Sequence, residues 1–165
     1  MINKNIVLIG VTGCGKSTIG ILLAEKLQLP FYDVDEYIEK NQGKSIKDTF
    51  IKGETYFRKI ESLALEEIVN VGGCKVISTG GGVVKIHKNM ENFLENSIVI
   101  FLNRNIESII QDIDVSNRPL LFADLSKLYE IYEERLPLYR KYCDFEISSK
   151  VSIQETIDEI LYMLR

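Results

Sequence analysis

Short apolar runs alternate along this chain with longer stretches that have the periodicity of helices. The first run, residues 6–9, is continuous and β-branched, which is typical of a strand buried on both faces. The stretch 17–27 instead has helical spacing and places Ile19, Leu22, Leu23 and Leu27 on one side. Runs of the first kind predict five strands, at residues 5–9, 31–34, 75–79, 97–102 and 144–148.

Helices are predicted to fill the intervals between these strands. The last begins at Ser152, where Ser152 and Glu155 have the spacing of a capping box. Its buried stripe is predicted to be Ile153, Ile157, Ile160, Leu161 and Leu164. Strands joined by crossover helices indicate an α/β fold, with a five-stranded parallel sheet sandwiched by helices. Ligands of such sheets bind at the carboxyl ends of the strands, so we examine the residues that follow each strand.

Composition limits the class of protein further. The chain has 165 residues, of which 45% are hydrophobic, and it shows no repeat or linker, so we expect residues 1–165 to form a single domain. Its 24 acidic and 20 basic side chains give a net charge of −4, which argues against a nucleic-acid or anionic-membrane partner. We expect no signal peptide, because the first predicted strand begins within a few residues of Met1, and no apolar run is long enough to span a membrane. The three cysteines lack metal or disulfide spacing, which favours a reducing, cytoplasmic compartment.

The turn after the first strand carries the strongest motif. Residues 10–17 read Gly-x-x-x-x-Gly-Lys-Ser, the pattern of a phosphate-binding P-loop. Glycines let backbone N–H groups face phosphate oxygens, and the following helix adds its positive N-terminal end. An ordinary glycine-rich turn is the alternative, but the placement of Lys16 and Ser17 between strand and helix favours phosphate binding. We expect the nucleotide to contact Gly13, Cys14, Gly15, Lys16, Ser17 and Thr18.

Two carboxylates, Asp33 and Asp35, follow the second strand. Alternation along an extended chain would point both to one side, where one serves a metal ion and the other receives a proton from an acceptor hydroxyl. The structural alternative makes Asp35 a helix N-cap, which explains one aspartate but not the pair. The third strand ends in Thr79 and three glycines, with no carboxylate for a metal ion, so we predict that Ser17 and Asp33 hold Mg²⁺.

Arginine is scarce in this chain. There are 14 lysines and six arginines, so an internal arginine is more readily explained by its planar, bidentate fork. Arg58 has Glu61 on the same helical face to orient it. We interpret Arg104 and Arg165 as solvated surface residues.

Six motifs in order resemble the shikimate kinase family over essentially the whole chain. They are "GVTGCGKST", "FYDVDEYIE", "GETYFRKIE", "STGGGVV", "RPLL" and "RLPLYRKYCDFEI". The resemblance implies a P-loop fold like that of nucleoside monophosphate kinases, with a mobile lid at about residues 112–125. It also implies transfer of the ATP γ-phosphoryl group to the 3-hydroxyl of shikimate.

The resemblance also implies a role for each site residue. Asp35, Lys16 and Arg118 would be catalytic, with Asp35 as base or positioner at the acceptor hydroxyl and Arg118 reaching ATP from the lid. Shikimate would be bound by residues whose side chains or backbone line its pocket: Asp35, Arg58, Gly80, Gly81, Gly82 and Arg135. Ser17 and Asp33 would hold Mg²⁺, Asp33 through water.

One departure and two alternatives remain open at this point. The family often has a basic residue that stacks on adenine where this chain has Gln111, and other adenine contacts are expected from the loop at residues 148–152. Another P-loop small-molecule kinase, such as a gluconate kinase, would share the Asp33 and Asp35 pair. A nucleotide-gated switch would need the P-loop but no acceptor pocket. We expect a monomer that binds ATP and shikimate.

Overall fold

Strand β1 (Asn5–Ile9) lies at the centre of a five-stranded sheet in the computed structural model, which describes residues 3–112, 126–149 and 152–165. The other strands are β2 (Phe31–Asp33), β3 (Val76–Ser78), β4 (Ser97–Arg104) and β5 (Phe145–Ser149). Their order across the sheet is β2-β3-β1-β4-β5, and every neighbouring pair is parallel. The predicted α/β fold with a five-stranded parallel sheet is therefore confirmed.

Helices connect the strands as expected from the periodicity. In the described part of the chain they are α1 (Lys16–Leu27), α2 (Val34–Gln42), α3 (Ile46–Phe50), α4 (Glu54–Asn70), α5 (His87–Asn96), α6 (Ile106–Asp112), α7 (Lys127–Tyr142) and α8 (Ile153–Met163). A short 3₁₀ turn, Val83–Lys85, precedes α5. None of these helices is long and apolar enough to cross a membrane.

The core lies on both faces of the central strands. Ile6, Val7, Leu8 and Ile9 are completely buried, as the continuous apolar run predicts. Ser152 is the N-cap of α8, as its spacing from Glu155 predicts: its hydroxyl accepts a hydrogen bond from the backbone N–H of Glu155 and donates one to the Glu155 carboxylate.

One predicted core position is wrong, and one residue of the apolar side predicted for α1 lies at the edge of the core. Ile153 is 48% exposed because it is the first residue of α8, and helical side chains point back toward the N-terminus, beyond the packed turns. Leu22 is 36% exposed, at the edge of the buried side of α1. The remaining members of both stripes are buried or packed against the core.

The described residues stop at the start of the predicted lid and resume directly after it. Helix α6 ends at Asp112, and the chain is described again from Ser126. The predicted lid at residues 112–125, with Arg118, lies outside the described residues apart from Asp112. Its role stays a prediction.

Candidate active site

The turn between β1 and α1 exposes the start of the helix. Gly15 stands at the N-cap with φ of 99°, a conformation open to glycine but strained for other residues. It provides no side-chain cap, and the first turn of α1 contains no acidic residue. The first N–H groups of α1 are therefore left for an anion, as phosphate binding requires.

The backbone of strand β4 lies in close contact with the beginning of this loop. Gly10 has φ of 150°, and a Cβ atom added there would lie 2.7 Å from the carbonyl oxygen of Leu102. Glycine is thus required at position 10 by the approach of the neighbouring strand as well as by its backbone angle.

The side chain of Lys16 is buried inside the loop. Its Nζ donates hydrogen bonds to the carbonyl oxygens of Gly10 at 2.9 Å and Val11 at 3.1 Å. The sulfur of Cys14 lies 3.6 Å from the same Nζ, and Cys14 is only 1% exposed. Because the Cys14 side chain faces the core, only its backbone can face a nucleotide.

Asp33, the last residue of β2, forms a hydrogen bond with Ser17 after the P-loop. Its Oδ2 accepts a hydrogen bond from the Ser17 hydroxyl, while its Oδ1 caps α2 by accepting from the backbone N–H groups of Asp35 and Glu36. The N-cap of α2 is therefore Asp33, whereas the alternative interpretation of the sequence gave that place to Asp35. Within the described residues, no group of three or more His, Cys, Asp or Glu side chains could hold a metal ion. A hydroxyl and one carboxylate beside a phosphate site do suit Mg²⁺, which usually keeps several waters and phosphate oxygens as ligands.

Asp35 lies in the first turn of α2, so the extended alternation expected for residues 33–35 is wrong: the helix begins at Val34. Asp35 nevertheless lines the same cavity of about 680 Å³ as the P-loop, Gly80 and Gly81. A Cβ atom at Gly80 would lie 3.4 Å from the Asp35 Oδ1. The Asp35 carboxylate therefore lies beside the glycine turn, in a cavity that the phosphate-binding loop also lines.

A buried ion pair lies beyond this turn. Nη1 of Arg58 donates to Oε2 of Glu61 at 2.7 Å, and both residues are on α4. Arg58 is 8% exposed and Glu61 is completely buried. Burial raises the pKa of the Glu61 carboxyl, and the opposing attraction of Arg58 does not reverse that shift.

Arg135, on α7, is buried near the same turn. It is 4% exposed, its Nε has no hydrogen-bond partner in the described structure, and no ion pair is found for it there. Tyr139, one turn later, donates from its hydroxyl to the carbonyl oxygen of Gly81 at 2.5 Å. Burial raises the pKa of Tyr139 far above its ordinary value of 10.0, which keeps this hydroxyl a donor.

At each glycine of the turn 80–82, the absence of a side chain leaves room for a different neighbouring group. A Cβ atom would lie 2.7 Å from Glu61 Oε1 at Gly80 and 3.0 Å from the Thr12 backbone nitrogen at Gly81. At Gly82 it would overlap the guanidinium of Arg58. The family resemblance implies that these glycines line the shikimate pocket, and the structure gives a further reason for glycine, because the charged side chains of Glu61 and Arg58 pack against the turn.

The sequence analysis missed a cationic residue of the cavity. Arg104, interpreted as solvated, has a side chain that is 26% exposed, lines the cavity with the P-loop and forms an ion pair with Asp112. It is the last residue of β4, so the rule that ligands bind after parallel strands would have found it.

Phosphate-binding groups and a carboxylate line one cavity at the carboxyl end of a parallel sheet, an arrangement typical of a P-loop kinase. A family model described as shikimate kinase matches residues 12–165. A shikimate kinase from Clostridium botulinum is 48% identical over 160 residues, covering 97% of this chain and 96% of that protein. The chain belongs to the shikimate kinase family, whose members are ATP-dependent kinases.

Solved structures agree with the family match. The shikimate kinase from Acinetobacter baumannii in complex with shikimate superposes with a TM-score of 0.92 at 33% identity, covering 98% of this chain and 92% of that chain. The shikimate kinase from Aquifex aeolicus gives a TM-score of 0.84 at 36% identity, covering 97% and 95%. The family match favours shikimate kinase over a gluconate-type kinase and over a nucleotide-gated switch.

Proposed function

We propose that this chain transfers the γ-phosphoryl group of ATP to the 3-hydroxyl of shikimate, giving shikimate 3-phosphate and ADP. The bond from γ-phosphorus to the β,γ-bridging oxygen breaks, and a bond to the shikimate oxygen forms. One observation carries the proposal: the P-loop, Asp35 and the glycine turn line a single cavity. Phosphoryl transfer depends mainly on such positioning and on stabilising charge.

The two buried arginines suit an acceptor that carries a carboxylate group. Arg58 is paired with the buried Glu61 and with Glu54, a carboxylate that Lys85 shares. Arg135 is buried and has no ion pair in the described structure, so its positive charge is the one left for an anionic group. Charge-assisted hydrogen bonds from guanidinium groups to a carboxylate are strong and directional. We assign the shikimate carboxylate to Arg58 and Arg135, with the backbone of Gly80, Gly81 and Gly82 lining the same subsite.

Asp35 is the proposed base or positioner for the acceptor hydroxyl. It lies beside Gly80 in the cavity that the P-loop also lines, so an acceptor hydroxyl bound to Asp35 would share that cavity with the γ-phosphate. The proton lost by the 3-hydroxyl would pass to Asp35 as the new bond forms.

The nucleotide is assigned to the P-loop residues 13–18. Lys16 now donates to two loop carbonyls and would turn to the β- and γ-phosphates. Ser17 and Asp33 would hold Mg²⁺, which when bound neutralises charge on those phosphates. Arg118 is proposed to reach the γ-phosphate from the lid, on the family resemblance alone.

We further propose that the enzyme is a cytoplasmic monomer that binds neither nucleic acid nor membrane. The net charge of −4 supports the second part, since an acidic protein repels phosphate-rich partners.

A panel of acceptors tests the function. ADP formation from ATP and Mg²⁺ is measured with shikimate, gluconate and nucleoside monophosphates in turn. We expect ADP formation to rise with shikimate alone. Stimulation by gluconate or by a nucleoside monophosphate instead would reassign the acceptor site.

A further inference from the structure

Lys85 connects the two helices that carry the buried arginines. It ends the 3₁₀ turn before α5, and its Nζ lies 3.0 Å from Oε1 of Glu54 on α4 and 3.8 Å from Oε1 of Glu134 on α7. Glu54 stands one helical turn before Arg58. Glu134 directly precedes Arg135. One ammonium group therefore links carboxylates that lie next in sequence or next in the helix to both arginines assigned to the acceptor.

Glu54 occupies one edge of the Arg58 guanidinium. Nε and Nη2 of Arg58 both donate to Oε1 of Glu54 at 3.3 Å, whereas Nη1 donates to Glu61 at 2.7 Å. Nη2 is also the Arg58 atom closest to the glycine turn, since a Cβ atom added at Gly82 would lie 2.0 Å from it. A carboxylate binds a guanidinium most strongly through two parallel N–H groups. With Nη1 bound to the buried Glu61, the Nε–Nη2 edge is the one left for an acceptor carboxylate, and Glu54 competes for it.

Lys85 gives the Glu54 carboxylate a second partner. Its bond to Oε1, at 3.0 Å, is shorter than either bond from Arg58 to the same oxygen. Burial alone would raise the pKa of the Glu54 carboxyl, but the hydrogen bond and charge of Lys85, followed by the charge of Arg58, lower that pKa below its ordinary value of 4.5. Glu54 is therefore ionised at neutral pH, and it keeps an ion pair with Lys85 when Arg58 turns to another anion.

We propose that Lys85 is a positioning residue of the acceptor site, which draws Glu54 away from Arg58 so that the Nε–Nη2 edge can bind the acceptor carboxylate. This role rests on the proposed function, in which Arg58 binds the carboxylate of shikimate. Without Lys85, the charge of Glu54 would be balanced by Arg58, and an anionic acceptor would have to displace a stronger competitor. Lys85 acts through Glu54 and not on the substrate itself.

Shikimate kinetics in a set of variants test this role. The KM for shikimate and kcat are measured at saturating ATP and Mg²⁺ for the wild type, Lys85→Met, Lys85→Arg, and Lys85→Met combined with Glu54→Gln. Methionine keeps much of the length of lysine without its charge, whereas arginine keeps the charge. The matched control is Lys88→Met, which removes a nearby positive charge from the first turn of α5, where Lys88 has no ion pair among the described residues.

We expect Lys85→Met to raise the KM for shikimate about 3- to 10-fold, with kcat changed by less than about twofold. Lys85→Arg should stay near the wild type. Adding Glu54→Gln to Lys85→Met should lower the KM again, because the competing charge is gone; a role in stability alone predicts no such recovery. Lys88→Met should change neither quantity.

Two results would overturn the role of Lys85 while wild-type turnover is normal. One is a KM for Lys85→Met equal to that of Lys88→Met, and the other is a raised KM that the added Glu54→Gln does not lower. Failure of the wild type to phosphorylate shikimate would instead overturn the proposed function, and this inference with it.

Discussion

Arg58 and Glu61 form a buried ion pair on one face of α4, with 2.7 Å between Nη1 and Oε2. The second oxygen of Glu61, Oε1, has no hydrogen-bond partner in the described structure. Since the Glu61 carboxyl is fully buried, its pKa is raised despite the neighbouring guanidinium. The pair therefore orients Arg58 toward the acceptor site at a cost in stability that depends on pH.

Ionisation of Glu61 should lower the free energy of unfolding as pH rises. A folded-state pKa above the ordinary value of 4.5 means that the native state binds more protons than the unfolded state in the window above 4.5. The contribution of Glu61 is thus present at lower pH and is lost as pH rises through the folded-state pKa. In urea unfolding from about pH 4 to 7, the stability of the wild type relative to Glu61→Gln should fall. A relative stability that is constant or increases with pH would mean that Arg58 outweighs burial.

Gly82→Ala should damage the acceptor site through sterics alone. The new Cβ atom would overlap the Arg58 guanidinium, so we expect a loss of about 1–3 kcal/mol in the free energy of unfolding. Displacement of Arg58 should also raise the KM for shikimate by about tenfold. Gly72→Ala is the control, because no atom lies within 4 Å of its added Cβ, and its stability should stay within about 0.5 kcal/mol. Equal effects of the two substitutions would show that position 82 has no special packing.

Arg135→Ala should separate acceptor binding from nucleotide binding. Loss of charge-assisted hydrogen bonds to a carboxylate should raise the KM for shikimate by about 10- to 100-fold. We expect the same increase in KM for Arg58→Ala. ADP affinity, measured by calorimetry, should stay near that of the wild type. Arg140→Ala removes an exposed arginine from the same helix as Arg135 and should change neither quantity. A parallel fall in ADP affinity would place Arg135 in the phosphate site instead.

Asp35→Asn tests the proton acceptor. The substitution keeps the size of the side chain but removes the basic oxygen, so kcat should fall about 10²- to 10⁴-fold while shikimate binding changes far less. Asp158→Asn is a matched control on α8, where the aspartate only accepts a hydrogen bond from Gln154. Turnover by Asp35→Asn equal to that of the control would remove Asp35 from the chemistry.

The fold could be predicted from sequence because its signals are local. The apolar run of β1, the glycines and Lys16 of the P-loop, and the capping box at Ser152 each act through neighbouring residues. The same signals give the order of strands and helices, and the end of the sheet at which ligands bind.

The site was harder to predict where distant residues meet. The packing of Gly82 against Arg58 joins a turn to a helix in the preceding crossover, and the cap by Asp33 depends on where β2 ends. Arg104 looked like a surface residue because its partner and its cavity come from other elements. Periodicity and spacing carry no information on such contacts.

The most direct measurement follows the phosphoryl group itself. ATP labelled at the γ-phosphate is incubated with Mg²⁺, shikimate and enzyme, and the products are separated. The account predicts that the label appears in shikimate 3-phosphate, one per ADP formed, and that Asp35→Asn slows its appearance about 10²-fold or more. Label recovered only as inorganic phosphate, at a rate independent of shikimate, would contradict it.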